Sequence, residues 1–397
     1  MPDASPAAPA APAAGRWRAG SARAAPTPGA LALRGLLAAA VALCLLAGIA
    51  GGLLRAGVSL PGAADAQWPG RAALAHAALM VCGFLGTVIG IERAVALKRR
   101  VAFLAPLASS LGGVCLLLGQ AVPGAWLVLA AALAFTAVNV EVLRRQRAAH
   151  TALLLASALA WLAGNALFAA GQASVAVLPW WFAFLVLTIA AERLEMTRLM
   201  RRRPGAQAQL WAVLAALLLA SGLSAFAPAP GGVLYGAALA LLALWLGVHD
   251  IARRTVRAQG LSRYMAVCLL GGYAWLAVAG AAWAATALGW PARDAALHAL
   301  GLGFIVSMLM GHAPVILPAI ARVKLQFGAL FYLPLAALHL SLILRLGFGL
   351  LDAPLRATGA VFNAAAIALF AATVAGAALA WRLRHGTAGA RSSRKAL

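Results

Sequence analysis

Long apolar segments follow one another along this chain, separated by short polar bursts in which arginine dominates. A hydrocarbon core of ~30 Å is crossed by roughly 20 helical residues at 1.5 Å rise. The chain divides into twelve segments of that kind, at 31–54, 72–92, 101–120, 124–143, 150–171, 177–192, 208–227, 231–249, 264–289, 294–320, 328–348 and 358–381. The pattern predicts an all-α fold, a polytopic transmembrane helical bundle of about twelve spans. The run at 31–54 is too long for the apolar core of a signal peptide, ~7–15 residues, so it is expected to be retained as the first span.

The polar bursts orient the bundle. With the N-terminus placed inside, every second loop is basic: Arg93, Lys98, Arg99 and Arg100 follow span 2, Arg144, Arg145 and Arg147 follow span 4, and Arg198 and Arg201 to Arg203 follow span 6. Only Arg55, Arg71, Arg293, Arg345 and Arg356 are left for the other side. The positive-inside bias therefore predicts both termini in the cytoplasm of a bacterium, with the chain in its inner membrane, and adding or losing one span would reverse whole clusters. Trp68, Trp126, Trp180, Trp181 and Trp290 fall near the predicted outer ends, where such rings settle at the headgroup level.

Composition agrees. Sixty-four per cent apolar residues, a mean hydropathy of +0.92 and 10% charged residues exclude a soluble globular domain. A formal charge of +23 is carried by dispersed bursts, not by one folded face, so nucleic acid is not the expected partner; the lipid bilayer is. All but three of the 32 basic residues are arginine, the exceptions being Lys98, Lys324 and Lys395, and alanine is heavily used, which reads as high-GC coding bias. Cys44, Cys82, Cys115 and Cys268 lie in apolar runs without CxxC spacing and read as small core residues. The Ala/Pro-rich residues 1–30 predict a disordered tail, 31–381 the bundle, and 382–397 a basic cytoplasmic tail. No P-loop, Rossmann glycine fingerprint, GxSxG or HExxH is present.

With loops assigned, four histidines remain at membrane depth, where a polar group must find a partner. His76 is about one turn inside the outer end of span 2, and His298 stands at the same depth on span 10. Two neutral imidazoles facing each other from separate helices are able to ligate a low-spin haem iron axially, which needs only an apolar slot besides. The plainer reading is that each is hydrogen-bonded inside the bundle. His312 is fourteen residues beyond His298, ~21 Å deeper, and at 100° per residue returns to within about 40° of its azimuth. With His339, near the middle of span 11, it makes a second candidate metal site, for copper or another haem. Pro314 and Pro318 follow His312 and predict a kink in the cytoplasmic third of span 10.

Span 2 sets His76, Gly83 and Gly90 at intervals of seven, with Gly86 and Gly90 forming GxxxG. Such glycines admit a neighbouring helix or the flat wall of a cofactor. Gly83, and Gly301 on span 10, are the small residues assigned to the cofactor site. Glu92-Arg93 ends span 2 and Glu192-Arg193 ends span 6, a recurrence that hints at three four-helix units, although such pairs also end bacterial spans as a solvated rim.

HAALMVCGFLGTVIGIERAVAL at 76–97 and ALHALGLGFIVSMLMGHAPVILPAI at 296–320 put histidines on the second and tenth of twelve spans. This resembles haem–copper oxidase subunit I and, at this length, more closely the NnrS family of bacterial membrane haem–copper proteins. The resemblance implies His76 and His298 as low-spin haem ligands and a role in nitric oxide or nitrosative-stress metabolism. It does not extend to the oxidase copper site: span 6 carries no histidine, span 7 no His-His pair, and no His-x-x-x-Tyr motif occurs. A secondary transporter of a small solute, with Asn165, Thr286, His339 and Asn363 as midplane polar candidates, and a non-catalytic assembly or sensor protein are the alternatives. The redox partner and substrate are left open.

Overall fold

A computed structural model describes residues 28–61, 66–197, 204–321 and 323–394. Of the described residues, those up to Leu36 form one compact unit and those from Leu37 on form the other. The expected disordered tail lies, up to Thr27, outside the described residues, as do Arg198, Arg201 to Arg203 and Arg322.

The described residues are helical and contain no strand. Twelve helices are long and apolar enough to cross a membrane: α1 Ala32–Arg55, α2 Trp68–Leu97, α3 Arg100–Leu117, α4 Ala121–Arg145, α5 Ala149–Ala169, α6 Ser174–Met196, α7 Ala206–Phe226, α8 Pro228–His249, α9 Gly260–Ala287, α10 Arg293–Pro318, α11 Ala329–Leu350 and α12 Ala353–His385. Each matches one predicted span. Helices adjacent in sequence pack together from α2 to α10, and α12 packs on α11. Helix α6 is the centre, with 83% of its apolar window inside the fold against 11% for α12. Helical structure continues beyond α12 to Arg394, through the stretch expected to be a tail.

Three helices depart from α geometry. Helix α2 is π-helical over Leu79–Gly86, α10 over Ala299–Val306 and α11 over Ile343–Gly347. The i→i+5 bonding of a π turn leaves carbonyls differently aimed, and one of them, on Cys82, accepts a hydrogen bond of 2.7 Å from Ser109 Oγ on α3. The irregularity of α10 thus precedes His312, whereas the helix runs on through Pro314 and Pro318 to Ala321. The π segment lies ahead of the stretch where Pro314 and Pro318 predict a kink. The π segments of α2 and α10 also void the azimuth relation of His298 and His312, and the seven-residue stripe of span 2, because a π segment winds less per residue than 100°.

Glycine sets how closely α1 and α2 approach. A Cβ on Gly51 would stand 2.2 Å from the carbonyl oxygen of Ala72, and one on Gly48 2.7 Å from Met80 Sδ. Helices α8 and α9 cross in the same way, Gly236 and Gly280 each facing the other's carbonyl oxygen at 2.4 and 2.6 Å from the position a Cβ would take. In lipid, where apolar burial does not distinguish helix from solvent, such backbone approach supplies the dispersion contact that holds helices together. Among the tryptophans, Trp68, Trp126 and Trp290 are exposed at helix ends as expected. Trp181 is not an interfacial anchor: it is buried in α6 and donates from Nε1 to Asn165 Oδ1 at 3.1 Å.

Gly51→Ala or Gly280→Ala is expected to destabilise the detergent-solubilised protein by ~1–3 kcal/mol through overpacking. Gly70→Ala, where nothing lies within 4 Å, should leave thermal unfolding unchanged, and equal effects at the three positions would refute the packing account.

Candidate functional site

His76 and His298 come together. Their ring centroids are 6.2 Å apart and their planes 28° from parallel, although the two residues lie on helices separated by some two hundred positions. Each ring is oriented through Nδ1. That of His76 donates to the carbonyl oxygen of Gly48 at 2.7 Å, a group with a second lone pair to offer beyond its own helical bond. That of His298 donates to Asp294 through its carbonyl oxygen at 3.0 Å and Oδ1 at 2.9 Å. Because these oxygens only accept, Nδ1 carries the hydrogen in both neutral rings and Nε2 the lone pair, although Arg345 Nη2 also stands 3.3 Å from Nδ1 of His298. The close passage of α1 makes this possible, since a Cβ on Gly52 would stand 2.8 Å from Cε1 of His76.

The third member of this end was counted from sequence only among the basic residues left for the outer side. Arg345, placed by the π segment of α11, is buried at 6% exposure. Its Nε and Nη2 donate to the two carboxylate oxygens of Asp294 at 2.9 and 2.8 Å, a two-pronged match of guanidinium to carboxylate. Nη1 reaches Asn363 Oδ1 on α12 at 3.4 Å, and Asn363 in turn donates to Ser341 Oγ at 2.7 Å. Nη2 also stands 3.2 Å from Nε2 of His298. Asp294 therefore braces histidine and arginine at once, and three helices are tied at one depth. A lone arginine in the apolar run LILRLGFGL, matched with a lone aspartate starting the preceding span, was the available signal.

The other expected residues are placed differently. Gly83 faces Cys44 Sγ on α1 and the Cα of Gly113 on α3, where a Cβ would meet them at 2.8 and 3.5 Å. It is a point of helix packing, one of the two readings the sequence left open for it. The nearest neighbour to a Cβ on Gly301 is Phe182 Cε1 at 3.8 Å. His339 accepts a hydrogen bond of 2.8 Å at Nδ1 from Trp275 Nε1 and lies against Gly271 of α9. His312 donates from Nδ1 to the carbonyl oxygen of Met308 at 2.8 Å. Nothing joins His312 to His339 among the described residues, and among them no group of three or more His, Cys, Asp or Glu is arranged to hold a metal ion. Of the midplane polar candidates, Asn165 accepts from Cys82 and Trp181, while Asn363 belongs to the Arg345 network.

A second polar cluster occupies the opposite end of α2 and α10. Arg193 of α6 and Asp250, just past α8, are 4% and 2% exposed and pair through Nε–Oδ2 at 2.8 Å and Nη2–Oδ1 at 3.0 Å. Asp250 Oδ1 also accepts from the amide of Ala252 at 2.7 Å. Beside them Arg93 Nη2 lies 3.0 Å from Glu92 and 3.5 Å from Glu192. Glu92-Arg93 and Glu192-Arg193 are thus joined to each other across two helices, with the side chains of Glu92 and Glu192 still 25% and 21% exposed. Their recurrence in sequence was visible; that the two pairs face one another was not, because facing is decided by how α2 and α6 pack.

The chain belongs to the family described as a domain of unknown function, DUF8744, which matches residues 34–379 and so takes in both polar ends. No curated protein and no solved structure matches it.

Removing one partner of the buried pair, by Asp250→Asn or Arg193→Met, leaves the other charge uncompensated and is expected to lower stability by ~3–5 kcal/mol. The double substitution Arg193→Met with Asp250→Leu should cost less than either single change in thermal unfolding. Simple additivity would show that the two residues do not interact.

Proposed function

We propose that this chain is a haem-binding protein of the bacterial inner membrane in which His76 and His298 are the axial ligands of a low-spin haem. The observation that carries the reading is the separation of the two rings. Imidazoles on opposite sides of one metal atom, each bound ~2 Å away through a ring nitrogen, have centroids roughly 6 Å apart, and here they are 6.2 Å apart. The second support is the pair of Nδ1 hydrogen bonds, which fix ring orientation and leave Nε2 as the ligating atom, as metal-bound histidines require. The residues fit with one adjustment: Arg345 Nη2 yields its place beside Nε2 of His298 and keeps its bond to Asp294.

In this reading the chain's own residues orient and insulate. Gly48 and Asp294 hold the two rings, and Asp294 raises the basicity of His298 as a ligand. Arg345 offsets the charge of Asp294, so no net negative charge is left at the site. A haem held by His76 and His298 would supply one-electron exchange, and with both histidines bound to it a small substrate would find no free place on the metal. That favours electron transfer or sensing over turnover at this site. Nitrogen-oxide metabolism enters through the likeness of 76–97 and 296–320 to the NnrS family, and copper has no support beyond it. The basic loops support a reading in which both termini are cytoplasmic. The matched position of His76 and His298 ahead of π segments on α2 and α10 supports an internal repeat of helical units, with α6 as the member that has lost its histidine.

A secondary transporter is the second reading, favoured by the charged cluster at the Glu92 end and by π segments, which serve as hinges in moving helices.

The visible spectrum of the detergent-purified protein separates the two. The haem reading predicts a stoichiometric Soret band and a reduced-minus-oxidised α-band, both lost in His76→Ala and in His298→Ala and retained in His339→Ala. A colourless, folded wild-type preparation from haem-replete cells would refute it.

A further inference from the structure

Among the described residues, the Glu92 end is one positive charge short. Arg193 is committed to Asp250 through two hydrogen bonds, so Glu92 and Glu192 are left to share the single guanidinium of Arg93. An uncompensated carboxylate among apolar helices is unfavourable by several kcal/mol. One further atom lacks a donor. Nε2 of His312 is buried without a hydrogen-bond partner among the described residues, and since Nδ1 donates to Met308, Nε2 is an acceptor in need of a donor. The hydroxyl of Tyr273 on α9, in a side chain only 4% exposed, brings its own hydrogen and lies within electrostatic reach of Asp250 and Arg193. His312 lies within electrostatic reach of Glu92, Arg193 and Asp250.

One hydron answers both deficits. As O–H on a carboxyl it cancels the surplus negative charge, and it supplies the donor that Nε2 of His312 lacks. A metal ion is the weaker candidate, because among the described residues no group of three or more ligands is arranged to hold one. We propose that Glu92 and Glu192 form a proton-binding site that holds one hydron: the carboxyl that carries it donates its O–H to Nε2 of His312, and the other carboxylate keeps the guanidinium of Arg93. Binding makes one O–H bond from a carboxylate lone pair and a hydron taken from water, with no change of oxidation state. The groups that face the site are Arg93 from α2, Arg193 and the exposed Glu195 from α6, Asp250 past α8, Tyr273 from α9 and His312 from α10. The site does not rest on the haem reading and would serve either electron transfer or transport as an exchangeable proton store.

Infrared spectroscopy of the purified full chain tests it. Wild type should show, at neutral pH, the C=O stretch of a protonated carboxyl that shifts in heavy water and disappears on alkalinisation. The band should be absent in both Glu92→Gln and Glu192→Gln, and should move to higher frequency in His312→Phe, where its acceptor is gone. Absence of the band in wild type, or its persistence in either glutamine variant, overturns the shared site, and an unmoved band in His312→Phe overturns the histidine's part. If one glutamine variant fails to fold, the other decides alone.

Discussion

A polar side chain placed among apolar helices in lipid has to bring its partner with it, because no water is at hand to replace one. That constraint organises this bundle. Helix packing here is made by glycines that let backbones touch, a contact with little directional content. Register and depth are specified instead by the pairs: His76 on the Gly48 carbonyl, Asp294 between His298 and Arg345, Asn363 between Arg345 and Ser341, and Arg193 on Asp250. Each is satisfied only when particular helices stand at one height, so each excludes the sliding that small-residue packing would tolerate.

The two polar ends lie on the same two helices. Helix α2 carries His76 toward one end and Glu92 toward the other, and α10 carries His298 and His312 in the same sense. Between them both helices pass through π segments, which re-aim the residues beyond. Central α6 packs against the π segment of α10 and supplies Glu192 and Arg193 to the cluster at the far end. An electron held at one end and a hydron at the other would then be linked through rigid helices whose registers the ion pairs fix.

What could be read from sequence divides along a physical line. Span number and limits were legible because they depend on the length of apolar runs, a property local to each segment. The His76–His298 encounter was legible too, since equal depth on two helices is one-dimensional information. Azimuth was not. The projection that put His312 beneath His298 and Gly83 beside His76 assumed uniform α winding, and the π segments broke it. Arg345 was counted only among the basic residues of the outer side, and the Glu92 cluster was open to reading as a rim, because charge near the end of a span is ordinarily solvated. Their placement depends on which helices neighbour which, and that is a property of the whole fold. Trp181 shows the same limit, for a tryptophan near a span end faces headgroups or a buried asparagine according to where its helix packs.

The central claim is that helices α2 and α10 meet so that two imidazoles share one ligand. Electron paramagnetic resonance of the oxidised protein tests it most directly. The account predicts a low-spin ferric signal of the kind given by two axial imidazoles with nearly parallel planes, replaced in His298→Ala by a high-spin or five-coordinate signal. A high-spin signal in the wild type, or a low-spin signal that survives loss of either histidine, would contradict it.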